Sequence, residues 1–331
     1  MKRGSSGLSL VVAVDKPEGM TSHDVVGACR RIFGERRVGH AGTLDPLATG
    51  VLLVLVGSAT RLNGYLSGQR KAYVARISFG CATDTDDAAG QVIRSATVPD
   101  EVADEGFARS VLARFSGPQK QLPPVYSALK RAGRKACDEA RRGNIIELEP
   151  RDIVVHDARM VGIGTDEQGT FWDVFFVVSK GTYIRSLARD IGRASGTEAH
   201  LGALRRSASG SVGLDECVTL DTLSEVGVRA ALDPVRALGY TICFCGDDEI
   251  VKVRNGMKLT LRRAFHAYDR SFCESCACTS GVRETSAPAE GEMVSIVSGD
   301  RLYALYRVDA VRRALVPEVV FQNGVSRGRG L

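Results

Sequence analysis

The sequence lacks any long hydrophobic run. No apolar stretch approaches the ~18 residues that a helix needs to cross a bilayer. The first such stretch, residues 8–14, is short and leads into Asp15-Lys16-Pro17 without a small-residue cleavage site. This pattern predicts a buried strand and not a secretory signal. We therefore expect a cytoplasmic protein with no membrane partner.

Two common ligand-binding patterns are also absent. No Gly-Lys-Ser or Gly-Lys-Thr follows the glycine-containing stretch at residues 39–50, which argues against an enzyme that holds nucleotide phosphates there. The acidic stretch at residues 83–87, TDTDD, lacks the glycine and the terminal glutamate that stand at fixed spacing in an EF-hand. We therefore expect no calcium site in it.

The nine cysteines raise the question of disulfides and metals. In a cytoplasmic protein they are expected to be thiols or metal ligands rather than disulfides. Five lie within 36 residues, with His266 between them: Cys243, Cys245, Cys273, Cys276 and Cys278. Four cysteines in two close pairs can hold zinc, but this spacing departs from the usual ribbon pattern of two pairs ~15–20 residues apart. We expect free thiols in a variable loop and no metal.

Size and charge are those of an ordinary globular protein. With 331 residues, 44% of them hydrophobic and 25% charged, the chain can hold one large domain and a small one. The net charge of +5 suits a polyanionic partner without requiring one.

The most informative stretch is residues 39–50, GHAGTLDPLATG, which is followed by an apolar run at 51–56. Three glycines and a proline within twelve residues rule out a regular helix or a central strand. The run behind them is short and valine-rich, as in a buried strand. Asp45 is therefore predicted to lie in a tight loop anchored by a core strand, where a carboxylate can be aimed. For an Asp-Pro pair alone, a turn-capping aspartate is the simpler interpretation.

This loop resembles the signature loop of the bacterial tRNA pseudouridine synthase B family, whose invariant aspartate is catalytic. Further segments resemble the family's motifs, in the same order along the chain: Lys71-Ala72-Tyr73, residues 122–130 (LPPVYSALK), residues 181–185 (GTYIR) and residues 201–206 (LGALRR). The resemblance covers most of residues 10–210, and the number of separated motifs makes it specific.

The resemblance implies that the protein isomerises a uridine of tRNA to pseudouridine, at U55 in the T loop. The N1–C1′ bond breaks, the base turns, and it rejoins the sugar through C5 without a cofactor. Asp45 would act as the nucleophile or as the base that starts the reaction, and attack at C6, attack at C1′ and a glycal route all stay open. Arg185 would pair with Asp45 and keep it ionised. Tyr73 would stack on the target base and handle a proton.

The resemblance also implies substrate-binding residues. A uridine in a folded loop has to be extruded before it can react, and His40 would fill the gap that it leaves. Without the family, a histidine in such a loop is more simply a turn residue or a hydrogen-bond donor. Leu204 would form an apolar wall of the pocket, and Tyr183 belongs to the motif that carries Arg185. The partner is then the T arm of tRNA, and we expect a monomer with no obligatory protein partner.

The fold that the family implies is α+β, a pseudouridine synthase fold with a large mixed, mostly antiparallel sheet, flanking helices and an inserted RNA-gripping arm. We place this catalytic domain at residues 1–240 and the arm at about 120–151. Between residues 130 and 151, seven basic residues against four acidic ones suit phosphate contacts, although a solvated surface helix fits the composition equally well. Residues 241–331 resemble a PUA domain, a small β-rich RNA-binding module, with an insertion at about 266–292.

Sequence periodicity predicts two secondary-structure elements in the first 80 residues. A helix is expected from the Thr21-Ser22 cap to Gly34. A strand is expected at residues 72–79, with alternate side chains from Tyr73 onward on one face. A tyrosine in that position is, on pattern alone, a core residue or a cross-strand partner.

The second half of the catalytic domain shows a strand followed by a helix. Residues 171–179 are apolar on both faces around Asp173, which places this strand in the middle of the sheet. Thr182 is expected to cap the helix that follows. Arg185 and Arg189, four residues apart, are expected to share one face of it.

The competing hypothesis is a non-catalytic RNA-binding protein or tRNA folding chaperone built on the same scaffold. Binding alone requires none of Asp45, Tyr73 and Arg185. Their joint presence therefore favours an enzyme.

Overall fold

The computed structural model describes residues 6–127, 129–131, 134, 135, 139, 142, 148–261, 264–268 and 282–328. The helices are α1 (Ser22–Phe33), α2 (Asn63–Ser67), α3 (Glu105–Ala113), α4 (Ile184–Ala194), α5 (Leu220–Val226), α6 (Pro234–Leu238) and α7 (Asp247–Arg254). Short 3₁₀ turns are formed by Gly57–Leu62, Asp100–Ala103, Leu214–Glu216 and Gly227–Ala230. Among the described residues, no helix combines the length and the hydrophobicity needed to cross a membrane.

The strands before Tyr240 are β1 (Leu10–Lys16), β2 (Val38–His40), β3 (Thr49–Val56), β4 (Lys71–Phe79), β5 (Cys81–Thr83), β6 (Val92–Ser95), β7 (Gly117–Gln121), β8 (Lys130–Arg131), β9 (Arg134–Lys135), β10 (Arg151–Asp166), β11 (Gly169–Val178), β12 (Ala199–Ser209) and β13 (Val212–Gly213). Those after Tyr240 are β14 (Thr241–Phe244), β15 (Leu259–Thr260), β16 (Phe265–Tyr268), β17 (Val282–Thr285), β18 (Met293–Ser298), β19 (Arg301–Asp309) and β20 (Ala314–Ser326). The α+β class is as predicted.

The chain divides into two compact units. The first contains Met1–Pro46, Gly50–Ser67 and Ala208–Leu331, and the second contains Leu47–Thr49 and Gly68–Ser207. The predicted boundary near Tyr240 falls inside the first unit and stays a prediction.

In the second unit the strand order is β12-β4-β11-β10-β7, and the pairs β4–β11, β11–β10 and β10–β7 are antiparallel. As the alternation predicts, one face of β4 is buried and carries Tyr73, Ala75, Ile77 and Phe79. Trp172 of β11 stands opposite Ile77, is fully buried, and donates its indole N–H to the carbonyl of Val102 at 2.8 Å. Its one polar group is thus satisfied inside the core.

β11 lies between β4 and β10, the central position that its sequence predicts. Its two faces differ in burial, however, since Phe171 and Phe175 are only half-buried. Arg76 lies 3.7 Å from the ring centroid of Phe171, and Arg159 lies 4.8 Å from that of Phe175. Arg76 also donates two hydrogen bonds of 2.9 Å to Asp173. Charged side chains stacked on aromatic rings therefore cover part of this face.

α1 begins and ends where the sequence predicts. Thr21 and Asp24 form a capping box, in which each side chain accepts the other's backbone N–H, at 3.1 and 2.9 Å. Gly34 ends the helix in the left-handed conformation, with a φ of 59°. The buried side of the helix carries Val25, Val26, Cys29 and Phe33.

The strands after Tyr240 form a second sheet in the order β15-β20-β19-β18-β14-β16-β17. β14 and β18 are parallel, whereas β18–β19 and β19–β20 are antiparallel. A tight turn at Ser298-Gly299-Asp300 joins β18 to β19, and Gly299 has a φ of 53°. The β-rich character of this region is confirmed. Of its predicted insertion, residues 269–281 lie outside the described residues.

The predicted arm is described only in part. β8 and β9 pair with each other as a short antiparallel ladder. Residues 128, 132, 133, 136–138, 140, 141 and 143–147 lie outside the described residues. The role of the arm in gripping RNA stays a prediction.

One hydrophobic cluster in the first unit joins both ends of the chain. It packs Leu53, Leu55 and Leu62 with residues of the second sheet, among them Leu302, Leu305 and Phe321. Arg61 donates to the carbonyl of Val320 at 2.5 Å, and its guanidinium lies 5.7 Å from the ring centroid of Phe321. The second sheet therefore shares a core with the strand that follows the Asp45 loop.

We expect Phe321→Ala to lower the free energy of unfolding by about 3–5 kcal/mol, because the ring is 1% exposed and its loss leaves a cavity. The loss should appear as one transition of the whole first unit in a denaturant titration. Val311→Ala, at a side chain that is 91% exposed, is the control and should change little. Two separate transitions, of which Phe321→Ala shifts only one, would instead show that the second sheet unfolds independently of the rest of the first unit.

Candidate active site

The loop that carries Asp45 leaves β2 and returns to the sheet in β3. β2 pairs with β3, with His40 opposite Val54, and the N–H of Ala41 donates to the carbonyl of Leu53 at 2.9 Å. Gly42 has a φ of 103°, which a residue with a side chain rarely adopts. Asp45 itself is half-buried. The predicted tight loop anchored by a core strand is confirmed.

The other side of this loop is held by a buried lysine that sequence reasoning missed. Lys16, at the end of β1, is fully buried. Its Nζ donates to the carbonyls of Pro17, Met20 and Pro46 at 2.8, 2.6 and 3.3 Å. An ammonium has three donors, and burying it is tolerated only when they are used. A lysine that closes an apolar strand just before a proline is the signal that could have pointed to it.

Two further contacts fix the backbone next to Asp45. The N–H of Gly19 donates to the carbonyl of Pro46 at 2.9 Å. The hydroxyl of Ser22 donates to the carbonyl of Leu44 at 2.9 Å and accepts the N–H of Leu44 at 2.8 Å. The residues on both sides of Asp45 are therefore tied to the segment between β1 and α1.

In the second unit, the end of the signature loop meets β12. Thr49 donates its hydroxyl to the carbonyl of Leu204 at 3.5 Å and accepts a hydrogen bond from Arg205 at 3.3 Å. Leu204 is half-buried, and Arg205 is exposed. Tyr73 is 7% exposed and stands opposite Phe176 in the sheet. Its burial also fits the simpler role of a core tyrosine.

Arg185 is buried near the start of α4, with 6% of its surface exposed. Its Nη1 and Nη2 donate to the carbonyls of Thr85 and Tyr126, both at 3.0 Å. Its Nε lies 3.6 Å from Oδ2 of Asp87, and Oδ1 of the same carboxylate accepts the Thr85 hydroxyl at 2.7 Å. The acidic stretch at residues 83–87 is thus a loop that binds arginine.

Arg189 makes the matching contacts one helical turn later. It donates to Asp86 and to the carbonyl of Leu122, both at 2.9 Å. Burial raises the pKa of Asp86, and the charge of Arg189 opposes that rise. The two arginines share one face of α4, as predicted, but both are buried against acidic and carbonyl groups. Sequence reasoning singled out the acidic stretch and the arginines without pairing them.

The predicted helix cap at Thr182 is wrong. Tyr183 occupies the cap position, and the Thr182 hydroxyl donates instead to the carbonyl of Ser179 at 3.0 Å. The N–H of Tyr183 donates to the side-chain carbonyl of Gln121 at 2.9 Å, and the Gln121 amide donates back to the Tyr183 carbonyl at 3.0 Å. A glutamine from β7 therefore holds the backbone of the cap residue, and the Tyr183 side chain caps no helical N–H.

The structure groups the predicted site residues by unit. His40 and Asp45 share one loop of the first unit, whereas Tyr73, Tyr183, Arg185 and Leu204 belong to the second. The ion pair between Asp45 and Arg185, and the role of each site residue, stay predictions.

The cysteine cluster is described in part. Cys243 and Cys245 are buried thiols that pack in the core of the second sheet. Cys273, Cys276 and Cys278 lie outside the described residues. Within the part of the chain that the structure describes, no three His, Cys, Asp or Glu side chains are grouped for a metal ion.

The fold places the chain in a class. A solved structure described as "Crystal Structure of a Cbf5-Nop10-Gar1 Complex" matches it with a TM-score of 0.68 and 25% identity, over 96% of this chain and 87% of that one. This is the fold of the pseudouridine synthases.

Sequence comparison then gives the family. The TruB family pseudouridylate synthase N-terminal domain matches residues 30–184, and the tRNA pseudouridylate synthase B C-terminal domain matches residues 185–237. A tRNA pseudouridine synthase B from Thermobifida fusca (strain YX) is 47% identical over 254 residues, 76% of this chain and 86% of that protein. One from Arthrobacter sp. (strain FB24) is 46% identical over 220 residues, 66% of this chain and 71% of that protein. The chain belongs to the TruB family of pseudouridylate synthases.

A buried lysine two residues before Tyr73 gives a pH-dependent prediction. Burial lowers the pKa of Lys71 from 10.5 to about 8, and the charges of Arg206 and Lys180 add to this effect. Between these pH values the unfolded chain binds a proton at Lys71 that the folded chain has released. The stability of the wild type therefore rises with pH across this window.

Lys71→Met removes this titration. We expect the wild type to gain free energy of unfolding relative to Lys71→Met as the pH rises from about 8 to about 10.5. Denaturant titrations of both proteins at several pH values measure the difference. A difference that is constant with pH, or that falls, would contradict the assignment.

Proposed function

We propose that this chain isomerises a uridine of tRNA to pseudouridine, at U55 of the T loop. The family supports the reaction, and the relatives named tRNA pseudouridine synthase B support the substrate. The observation that carries the proposal is a half-buried aspartate in the signature loop, with the backbone on both sides of it tied down.

The reaction balances without a cofactor. The N1–C1′ bond breaks, the uracil turns so that C5 faces C1′, and a C5–C1′ bond forms. The proton at C5 leaves, and N1 takes up a proton. Nothing is oxidised or reduced, so the protein has to supply a positioned carboxylate, a proton path and a pocket poor in water.

Asp45 is the residue to which we assign the chemistry. A carboxylate can add to the base or the sugar as a nucleophile, or remove a proton as a base. Attack at C6, attack at C1′ and glycal formation each need the same thing from the fold: a carboxylate held within reach of the nucleoside. The fixed backbone around Asp45 suits all three routes, because positioning accounts for a large part of such rate enhancements.

Arg185 and Tyr73 complete the catalytic set. Arg185 pairs with Asp45 and favours its ionised form. Tyr73 stacks on the uracil and handles the proton that moves between C5 and the surroundings. The buried position of both side chains limits the water around them, and electrostatic interactions are stronger where water is excluded.

The remaining assignments concern how tRNA is held. A uridine within the T loop reacts only after it is extruded; His40 fills its place, and Leu204 and Tyr183 line the pocket that receives it. The basic arm and the PUA-like domain at residues 241–331 contact the phosphates of the tRNA backbone. The enzyme acts as a monomer in the cytoplasm.

Asp45→Asn tests the proposal directly. We expect it to abolish pseudouridine formation while leaving folding and tRNA binding largely intact, because it removes a charge from a loop and not from the core. The assay uses a tRNA transcript tritiated at uracil C5, since the reaction releases that hydrogen. Asp100→Asn, at an exposed carboxylate, is the control and should keep full activity. Activity of Asp45→Asn within about tenfold of wild type would exclude Asp45 as the catalytic residue.

Arg185→Lys separates geometry from charge. The guanidinium serves two carbonyls and faces a carboxylate in a fixed planar arrangement that a lysine ammonium cannot reproduce. We expect a single-turnover rate loss on the order of 10²-fold, about 2.7 kcal/mol, with a much smaller change in tRNA affinity. Arg193→Lys, at an exposed position on the same helix, is the matched control. A variant that keeps its rate but loses affinity would indicate that Arg185 holds a phosphate.

A further inference from the structure

The first residue of α1 makes an unusual pair of contacts to the Asp45 loop. Ser22 is 3% exposed, and so is Leu44, the residue before Asp45. The Ser22 hydroxyl accepts the Leu44 N–H at 2.8 Å and donates to the Leu44 carbonyl at 2.9 Å. One side chain thus satisfies both backbone polar groups of a single buried residue.

Few side chains other than serine can make both of these hydrogen bonds from a single atom. A hydroxyl donates one hydrogen bond and accepts others at the same atom, so its two contacts hold the peptide groups on either side of Leu44 in one orientation. The second of these peptide groups joins Leu44 to Asp45. Without the hydroxyl, a buried donor and a buried acceptor would both lose their partner.

Ser22 is itself buried at the start of α1, and its hydroxyl is used by Leu44. Pro46 restricts the backbone of Asp45 from the other side, and Gly19 holds the Pro46 carbonyl at 2.9 Å. The backbone of Asp45 is therefore bracketed, and Ser22 supplies the contact on its N-terminal side.

We propose that Ser22 is a positioning residue for the catalytic carboxylate. It aims Asp45 through the backbone of Leu44 and is assigned no contact with the RNA. This inference rests on the proposed function, in which Asp45 performs the chemistry. If the catalytic carboxylate is displaced by about 1 Å, the reaction rate falls strongly even where the substrate still binds.

Ser22→Ala is the primary test. We expect its single-turnover rate at saturating enzyme to fall about 10- to 100-fold, while the Kd for tRNA changes less than about threefold. Ser22→Thr keeps the hydroxyl and should recover most of the rate. If Ser22→Ala does not fold, Ser22→Cys, whose thiol is a weaker hydrogen-bonding group, should show an intermediate loss.

Thr21→Ala is the matched control. It removes the cap of the same helix, one residue away, and so destabilises α1 without touching the loop. All variants are assayed well below their melting temperatures, so that each is fully folded. We expect Thr21→Ala to lower the melting temperature but to keep a rate within about twofold of wild type.

The outcomes are distinct. Equal rates for Ser22→Ala and wild type, or equal rate losses for Ser22→Ala and Thr21→Ala, would overturn the positioning role. A loss of affinity with an unchanged rate would also overturn it. A wild-type protein that forms no pseudouridine would instead refute the proposed function.

Discussion

The fixed backbone around Asp45 is the feature that the proposed chemistry requires first. A single carboxylate can be aimed only if its loop has few alternative conformations, and a loop with three glycines has many. Buried polar contacts to Lys16 and Ser22 remove that freedom, because each binds backbone groups next to Asp45. Leaving those groups unpaired in the interior would cost about 1–3 kcal/mol each. The loop is therefore held by contacts to β1, α1 and β3.

A second set of polar contacts organises the start of α4. Arg185 and Arg189 bind carbonyls and carboxylates of the acidic stretch and of the segment that enters the predicted arm. A buried ion pair adds little net stability, yet losing one partner is strongly destabilising. The arginine that we assign to catalysis is therefore linked to the entrance of the arm that we assign to RNA binding. In the first unit, the second sheet packs against β3, the strand that follows the Asp45 loop, and so supports that loop through a shared hydrophobic core.

Sequence patterns correctly predicted the features that depend on residues close together in the chain. The capping box and Gly34 bound α1, alternation identified the buried face of β4, and hydrophobicity placed β11 at the centre of its sheet. Contacts between distant residues were not predictable in this way. Ser22 and Leu44 are 22 residues apart, and Arg185 and Thr85 are 100 apart. Gln121, which holds the backbone of Tyr183, is likewise 62 residues away from it. The reaction itself followed from the resemblance of several motifs to a family and not from periodicity.

Mapping pseudouridine in cellular tRNA tests whether this chain forms pseudouridine at position 55 through Asp45. The tRNA of a strain that lacks this protein is compared with that of the same strain carrying the wild-type gene or the Asp45→Asn gene. We expect the pseudouridine at position 55 to be absent from the deletion strain and to be restored by the wild-type gene alone. A modification unchanged by the deletion would contradict the proposed function, and restoration by the Asp45→Asn gene would exclude Asp45 as the catalytic residue.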